Sequence, residues 1–367
     1  MPASDAPILV TGAAGHLGAN LVHELVGRGE RVRVLLRAEE NNEAVDGLDV
    51  ERAFGDLRDA SSLKIAVDGC RQVFHVASMV STLDGDSAHK RTIYDTNVMG
   101  TRHLLHAAQR ANVDRFVLTS SFSAVGYDQD RTDLPSDETN QFFPFIQAMP
   151  YERTKVLQEH ELLKAVAENG MDALIVTSCA IVGGHDYLPS RMGRTLCKMA
   201  NREQRAYVDG GFEFVAARDI VAGHLLAMER GRKGHKYIVA TQFMTLDDIF
   251  DILEEITGQP RPKYRIPTKA LLPVAEVVSR ALYALNPSFP QLLTPGAIRK
   301  LRPRRHADTS KARRELGFRP SSLEEAFREA YAFHWKRGAI THPGAKRPKV
   351  AAASKTTVSP TSIPIHA

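Results

Sequence analysis

The stretch Thr11-Gly12-Ala13-Ala14-Gly15-His16-Leu17-Gly18 limits what this chain can fold into more than any other. Ile8-Leu9-Val10 before it reads as a buried parallel strand, and Ala19 to Val26 after it as a helix. Glycines between a strand and a helix allow a sharp turn that aims backbone N–H groups, at the positive end of the helix, toward an anion. A strand opening directly onto a helix in this way belongs to an α/β sheet, and the glycine spacing fits the pyrophosphate of a dinucleotide.

The rest of the first half keeps that rhythm. Strands are expected at Ile8–Val10, Val32–Leu36, Val50–Phe54, Gln72–Val76, Arg115–Thr119 and Ala173–Thr177, with helices at Ala19–Arg28, Ser61–Val67, Thr96–Ala111 and Tyr151–Asn169. The alternation predicts a Rossmann-type, doubly wound parallel sheet covered on both faces, with ligands at the C-terminal strand ends. After Gly183 the pattern changes. Tyr207–Phe214 is expected as an irregular loop or hairpin, Val215–Arg230 as a helix, Lys236–Ala240 as a strand, and Thr245–Thr257, Ser310–Leu316 and Leu323–Arg337 as helices. The resulting layout is a flexible N-terminus (1–7), a dinucleotide-binding core (8–182), a mainly substrate-binding smaller lobe with some segments returning to the core (183–340) and a disordered tail (341–367).

Composition excludes several classes. The net charge of +5 over 367 residues is mild, and no basic stripe interleaved with aromatics points to nucleic acid. Part of the charge lies in Arg302-Pro303-Arg304-Arg305-His306, which reads as a solvated loop or as attraction for an anionic cofactor. Cys70, Cys179 and Cys197 are odd in number and far apart, which argues against disulfides and a zinc site and for a reducing, cytoplasmic setting. No metal is expected. No signal peptide is expected, and Leu271–Leu285 is too interrupted for a membrane span and reads as an amphipathic helix.

Chemistry enters with Met149-Pro150-Tyr151-Glu152-Arg153-Thr154-Lys155. Four-residue spacing puts the Tyr151 phenol and the Lys155 ammonium on one helix face. An acid/base beside a bound dinucleotide is equipment for hydride transfer, because a ketone needs a proton as hydride arrives. Ser121, at the end of an expected strand, is placed to steady the developing oxyanion.

Together with these, Gly55-Asp56-Leu57-Arg58-Asp59, Phe74-His75-Val76-Ala77-Ser78, Asn97-Val98-Met99-Gly100-Thr101, Thr119-Ser120-Ser121, Ala217-Arg218-Asp219-Ile220-Val221 and Lys311 to Phe318 make an ordered set. In these the chain resembles the extended, atypical short-chain dehydrogenase/reductase superfamily, the NAD-dependent epimerase/dehydratase family, in the branch of dihydroflavonol 4-reductases, 3β-hydroxysteroid dehydrogenases and hopanoid-associated sugar epimerase-like proteins. The resemblance runs from about Ile8 to Arg337. It implies that Ser121 bonds the substrate oxygen, Tyr151 transfers the proton, Lys155 binds the nicotinamide ribose and, together with the positive nicotinamide of the oxidised cofactor, favours tyrosinate, and Asn97 supports the lysine through backbone and water. It further implies cofactor contacts at Gly12, Gly15, His16, Leu17, Gly18, Asp56, Leu57, Ala77, Ser78, Ser178 and Ile181. Two departures stand out: Thr177-Ser178 replaces a frequent Arg-Pro, and His16 replaces a commonly aromatic residue.

At the end of the second strand an acid selects NAD, but here Leu36 is followed by Arg37, whose guanidinium suits a 2′-phosphate. NADPH is therefore expected, with NADH possible through Glu39 or Glu40. Phe142, Phe143 and Phe145 either line an apolar substrate site, which Met79, Val80, Tyr187, Leu188, Met192, Phe212 and Phe214 would complete, or pack beneath the second lobe. The expectation is an oxidoreductase, a monomer or homodimer, acting on a small hydrophobic, aromatic or polycyclic ketone or alcohol. The rivals are a sugar-nucleotide epimerase or dehydratase, kept open by Arg191, Arg194 and Arg205, and a non-catalytic NADP-sensing regulator.

Overall fold

The computed structural model describes residues 6–348 apart from 84, 129, 132–133, 141, 143–147, 270, 272–274, 276, 279–280 and 283–303. Strands β1 (Ile8–Thr11), β2 (Val32–Leu36), β3 (Glu51–Phe54), β4 (Gln72–His75), β5 (Arg115–Ser121) and β6 (Ala173–Ser178) pair in parallel, and Lys236–Val239 adds a seventh strand beyond β6. The order across the sheet is β3-β2-β1-β4-β5-β6 and then Lys236–Val239. Chain direction across the sheet therefore reverses between β1 and β4, which opens a crevice at their C-terminal ends. The expected doubly wound Rossmann-type sheet is present.

Both faces are buried, as a parallel sheet requires. Ile8 and Val10 pack with Leu17 and Leu21 of α1 (His16–Gly27), whereas Leu9 packs with Leu63 of α2 (Ala60–Val67) on the other face. The helix expected at Thr96–Ala111 begins earlier. Asp86 accepts a hydrogen bond from His89 N at 2.8 Å and so caps α3 (Ser87–Tyr94). That helix runs through a π-helical turn at Asp95–Met99 into α4 (Gly100–Arg110). Helix α5 (Pro150–Asn169) carries Tyr151 and Lys155.

The smaller lobe contains two further sheets. β7 (Ala180–Val182) continues almost directly from β6, and α6 (Arg191–Ala200) follows. Tyr207–Phe214 is neither a loop nor a hairpin. Its two halves, β8 (Ala206–Val208) and β9 (Gly211–Ala216), part at Asp209-Gly210 and join different sheets. β9 pairs with β7, and its next two residues, Val215 and Ala216, are strand rather than the expected helix. Helix α7 (Ala217–Arg230) starts only at Ala217, and its Asp219 accepts from Thr241 Oγ1 at 2.7 Å and Ser321 N at 2.9 Å. With Lys236–Val239 taken as β10, β11 (Gln242–Thr245) closes the β7–β9 sheet and β12 (Tyr264–Ile266) pairs with β8. Leu196 of α6, Phe250 of α8 (Leu246–Thr257) and Phe327 of the final helix, Leu323–Lys336, share one core.

Of Leu271–Leu285, only positions 271, 275, 277–278 and 281–282 are described, all helical. Residues 349–367 of the expected tail lie outside the described residues, as do Phe143 and Phe145. Among the described residues no helix is long and apolar enough to cross a membrane.

Candidate active site

The crevice at the switch point widens into one cleft of about 2220 Å³ between sheet and lobe. That exceeds the roughly 300–1,000 Å³ of a single small-ligand site, leaving room for a dinucleotide and a second molecule. One end is built by the glycine turn. Gly12 has φ +74°, and a Cβ there would lie 2.7 Å from Ala77 Cα and N. A Cβ on Gly18 would come within 2.0 Å of Gly12 O, so β1 and α1 meet only because both positions lack side chains. Gly15 begins α1 with no side-chain cap, and no acid occupies the first turn. Those unclaimed N–H groups and the bare backbone fit a dinucleotide pyrophosphate.

A buried polar network stiffens this end. His75 Nδ1 lies 2.8 Å from Thr11 Oγ1 and Nε2 2.9 Å from Thr101 Oγ1, while Ala77 N donates to Thr11 Oγ1 at 3.2 Å. Thr101 donates onward to Asn97 O at 2.6 Å. Desolvation, reinforced by the Lys155 charge, lowers the His75 pKa to about 3. The neutral imidazole with its proton on Nε2 satisfies every partner. β1, β4 and α4 are thereby locked together.

Beyond β2 and β3 the cleft is lined by Arg37, Asp56, Leu57 and Arg58. Arg37 is exposed and pairs with Glu40. Asp56 accepts from Arg58 Nε at 2.9 Å and from a terminal guanidinium nitrogen at 2.8 Å, and these bonds outweigh burial to hold its carboxyl at about 2.

The chemistry-bearing side chains converge at the ends of β5 and β6. Tyr151 is buried, and desolvation pushes its phenol up to about 12 against a lowering hydrogen bond with Ser121, with Glu152 raising it slightly further. Lys155 Nζ donates to Thr119 O at 3.0 Å and stands 6.0 Å from the Tyr151 ring centre. Burial lowers its amine to about 8 while the Glu159 charge opposes the shift. At neutral pH these residues by themselves present a neutral phenol beside an ammonium, an arrangement able to give a proton to a carbonyl oxygen.

Asn97 has direct partners on both sides of its turn. Its side chain sits in the π-helical turn, accepts from Met79 N at 2.8 Å and Ser78 Oγ at 3.1 Å, and donates to Met79 O and Thr154 Oγ1, each at 3.0 Å. It staples the loop after β4 to α5 one residue before Lys155, and the direct partner of Lys155 is the β5 carbonyl.

The cleft brings together Gly12, Gly15, His16, Leu17, Gly18, Arg37, Asp56, Leu57, Ala77, Ser78, Met79, Ser121, Tyr151, Lys155, Ser178 and Ile181. Tyr187 is not among its lining residues. Its ring packs on Phe333 at 5.1 Å and under the Arg337 guanidinium at 4.9 Å, in a cluster with His23 and His185. Phe142 is half-buried and outside the described lining as well. The other residues expected to complete an apolar pocket, Met79, Val80, Leu188, Met192, Phe212 and Phe214, do line the cleft.

Glu213 and Arg305 also line the cleft and carry no motif. Arg305 stands in a basic run that reads as solvated, yet its guanidinium lies 4.5 Å from the Phe122 ring centre and 4.4 Å from that of Tyr127. It donates to Val125 O at 2.6 Å, and burial lowers its pKa to about 10. Glu213 left one trace in the sequence, an acid inside the apolar strand Gly211-Phe212-Glu213-Phe214-Val215.

The sterol demethylase protein B of Methylococcus capsulatus is 43% identical over 336 residues, 90% of this chain and 99% of that protein. A putative dihydroflavonol 4-reductase of Synechocystis is 35% identical over 89% of this chain and 93% of its own length. The crystal structure of gox2253 matches with a TM-score of 0.79 at 31% identity, covering 92% of this chain and 100% of that one. The model of the NAD dependent epimerase/dehydratase family matches residues 8–240, and the chain belongs to that family.

Proposed function

We propose that the chain is an NADPH-dependent ketoreductase or dehydrogenase that moves hydride between the nicotinamide and an apolar, polycyclic ketone or alcohol. The observation that carries this reading is the meeting, in one cleft, of the Ser121–Tyr151 hydroxyl pair with the apolar wall from Met79 to Phe214. A nicotinamide cofactor, when bound, supplies or accepts the hydride. Gly12, Gly15, His16, Leu17 and Gly18 hold its pyrophosphate, and Asp56 and Leu57 border the adenine. Ala77, Ser78, Ser178 and Ile181 flank the nicotinamide end. Ser121 orients the carbonyl oxygen, Tyr151 delivers the proton, Lys155 holds the ribose and keeps positive charge near the phenol, and Asn97 positions α5.

Arg37 supports NADPH over NADH. Its partner Glu40 is 42% exposed, and such surface pairs are worth about 0–1 kcal/mol, so a 2′-phosphate outcompetes the carboxylate. The name of the 43% identical relative, which refers to sterols, supports a polycyclic substrate. The free thiols Cys70, Cys179 and Cys197 support a reducing, cytoplasmic setting.

A second reading, an epimerase or dehydratase of a nucleotide sugar, is favoured by Arg191, Arg194 and Arg205 on the same cleft. One panel separates the two. Purified protein is offered 3-ketosteroids, aromatic ketones and nucleotide sugars while NADPH absorbance is followed. Oxidation with the apolar ketones supports the first reading, and sugar interconversion without net change in cofactor replaces it by the second.

A further inference from the structure

His16, Asp186 and His334 form a buried charge cluster beside the glycine turn. The His16 imidazole is 9% exposed and the other two side chains 1% each. His16 Nδ1 stands 3.9 Å from Asp186 Oδ1, and His334 Nε2 stands 3.5 Å from Oδ2 of the same carboxylate. The cluster thereby joins the first residue of α1, the loop after β7 and the final helix. Helix α6 closes over it. Its N-cap residue Ser190 donates to Asp186 from N at 2.8 and 2.9 Å and from Oγ at 2.8 Å. A Cβ on Gly193 would lie 2.2 Å from Asp186 Oδ2 and 2.7 Å from His334 Nε2, so the pair exists only because that position lacks a side chain.

The partners fix where the protons are. His16 Nε2 is 3.0 Å from Gly184 O, an oxygen that only accepts, so the neutral ring carries its proton on Nε2. Asn20 Nδ2 donates to the same oxygen at 2.9 Å. Nδ1 is left with a lone pair turned toward a carboxylate. A proton added there converts two facing acceptors into an ion pair. The surrounding groups leave that step open. Against burial, Asp186 and Cys197 raise the His334 imidazole to about 9, so its charge offsets that of Asp186. Burial lowers His16 against the pull of Asp186, and His334 lowers it further. His185 is brought down to about 4 by burial and by His23 and His16, and His23, itself lowered by burial, lies with its ring centre 4.0 Å from that of His185. No acid stands in the first turn of α1.

We propose that His16 is a proton-coupled ligand of the dinucleotide: it takes up a proton at Nδ1 when the pyrophosphate settles on the N-terminus of α1, and Asp186, backed by His334, holds the resulting imidazolium in place. The proposal rests on the dinucleotide reading above and adds to it a side chain where that reading needed backbone alone. One N–H bond forms at Nδ1, the proton leaves a buffer acid, and no bond of the protein breaks. A doubly negative pyrophosphate favours the cation, so His16 titrates higher in the occupied protein than in the free one. The gain in affinity is therefore complete below the free value, which lies under the ordinary 6.5, and is lost as pH rises through the occupied value.

The test is calorimetric titration of NADP⁺, and of NAD⁺, into the full chain in two buffers of different ionisation enthalpy, which counts the protons bound with the cofactor. At about pH 7 the wild type should take up roughly 0.3–0.8 of a proton more than His16→Phe, which keeps the backbone N–H and an aromatic ring and lacks the imidazole. Subtracting one from the other removes the titration of the 2′-phosphate. Asp186→Asn, which keeps an acceptor for Ser190, should lose most of the same uptake. Between about pH 6 and about pH 8.5 the wild-type affinity should fall about tenfold more than that of His16→Phe. A role confined to packing moves the melting temperature and leaves uptake equal in the wild type and His16→Phe, and that equality overturns the proposal. His16→Gln takes the place of the phenylalanine variant if the latter does not fold. Full uptake in Asp186→Asn overturns it too. Binding without uptake by the wild type overturns the proposal and leaves the dinucleotide reading standing, whereas failure to bind either dinucleotide removes both.

Discussion

On the nucleotide side of the cleft, Gly12, Gly15 and Gly18 form the wall from one short run of chain, and their contribution is backbone geometry. On the lobe side, Cys179, Glu213 and Arg305 come from distant parts of the sequence and contribute side chains whose ionisation is shifted by desolvation. The first wall depends on missing atoms, so it leaves a readable pattern. The second depends on desolvation, which exists only after β9 and the segment around Ala307 have closed over the site. The contrast teaches that a turn built on missing side chains is specified locally, whereas the ionisation of the facing side chains is specified by whatever segments cover them.

The largest expected effect tests the junction of the two walls. Tyr151→Phe should cut turnover roughly 10²–10⁴-fold while NADPH affinity, read by fluorescence titration, changes little. Near-normal turnover would take the proton transfer away from Tyr151.

The lobe wall should announce itself in the pH dependence of stability. Glu213 titrates near 7 in the fold against an ordinary value of 4.5. Between those values the folded state binds more protons than the unfolded one, so this group costs stability as pH rises through the window. At about 1.4 kcal/mol per unit, the cost reaches at most roughly 3 kcal/mol above pH 7. Glu213→Gln lacks it, so thermal melts at pH 4.5 and pH 8 should show the variant gaining on the wild type at the higher pH. Parallel curves would mean that the carboxyl is solvated and that the contrast between walls is overstated.

The nucleotide wall is sharpened by Arg37→Asp, which should erase or reverse a preference for NADPH of about 1.5–3 kcal/mol in direct binding. An unchanged ratio would shift the selection to another residue, with Arg58 next in line on the same wall.

The smallest effect separates lining from packing among the aromatics. Phe212→Ala removes a ring from the cleft, and at about 25 cal/mol per Å² the loss of some 50 Å² of contact raises the KM for an apolar ketone about tenfold. Phe142→Ala should lower the melting temperature and leave substrate preference alone. The reverse pattern, measured by kinetics and melting together, would restore Phe142 to the substrate site.

Most of the parallel sheet was legible because each strand is apolar and short, and each is followed by a turn and a helix of the right period. The same logic exposed Tyr151 with Lys155 and the glycine turn, where function is encoded in spacing along one element. Misreadings cluster where partners lie far off in sequence. Tyr207–Phe214 looked like one hairpin because nothing local says that β8 pairs with β12 and β9 with β7. Tyr187 looked like cleft wall until the loop after β7 turned its ring onto Phe333.

The sequence by itself thus determined the sheet, the glycine turn between β1 and α1 and the shared helix face of Tyr151 and Lys155, since these follow from backbone freedom and helix periodicity. Only the tertiary structure decided which charges are stripped of water. Arg305 left a basic run to lie between two rings, and Glu213 lost its solvent without gaining a counter-ion among the described residues. Desolvation depends on what covers a residue, and the cover comes from segments that no local pattern connects.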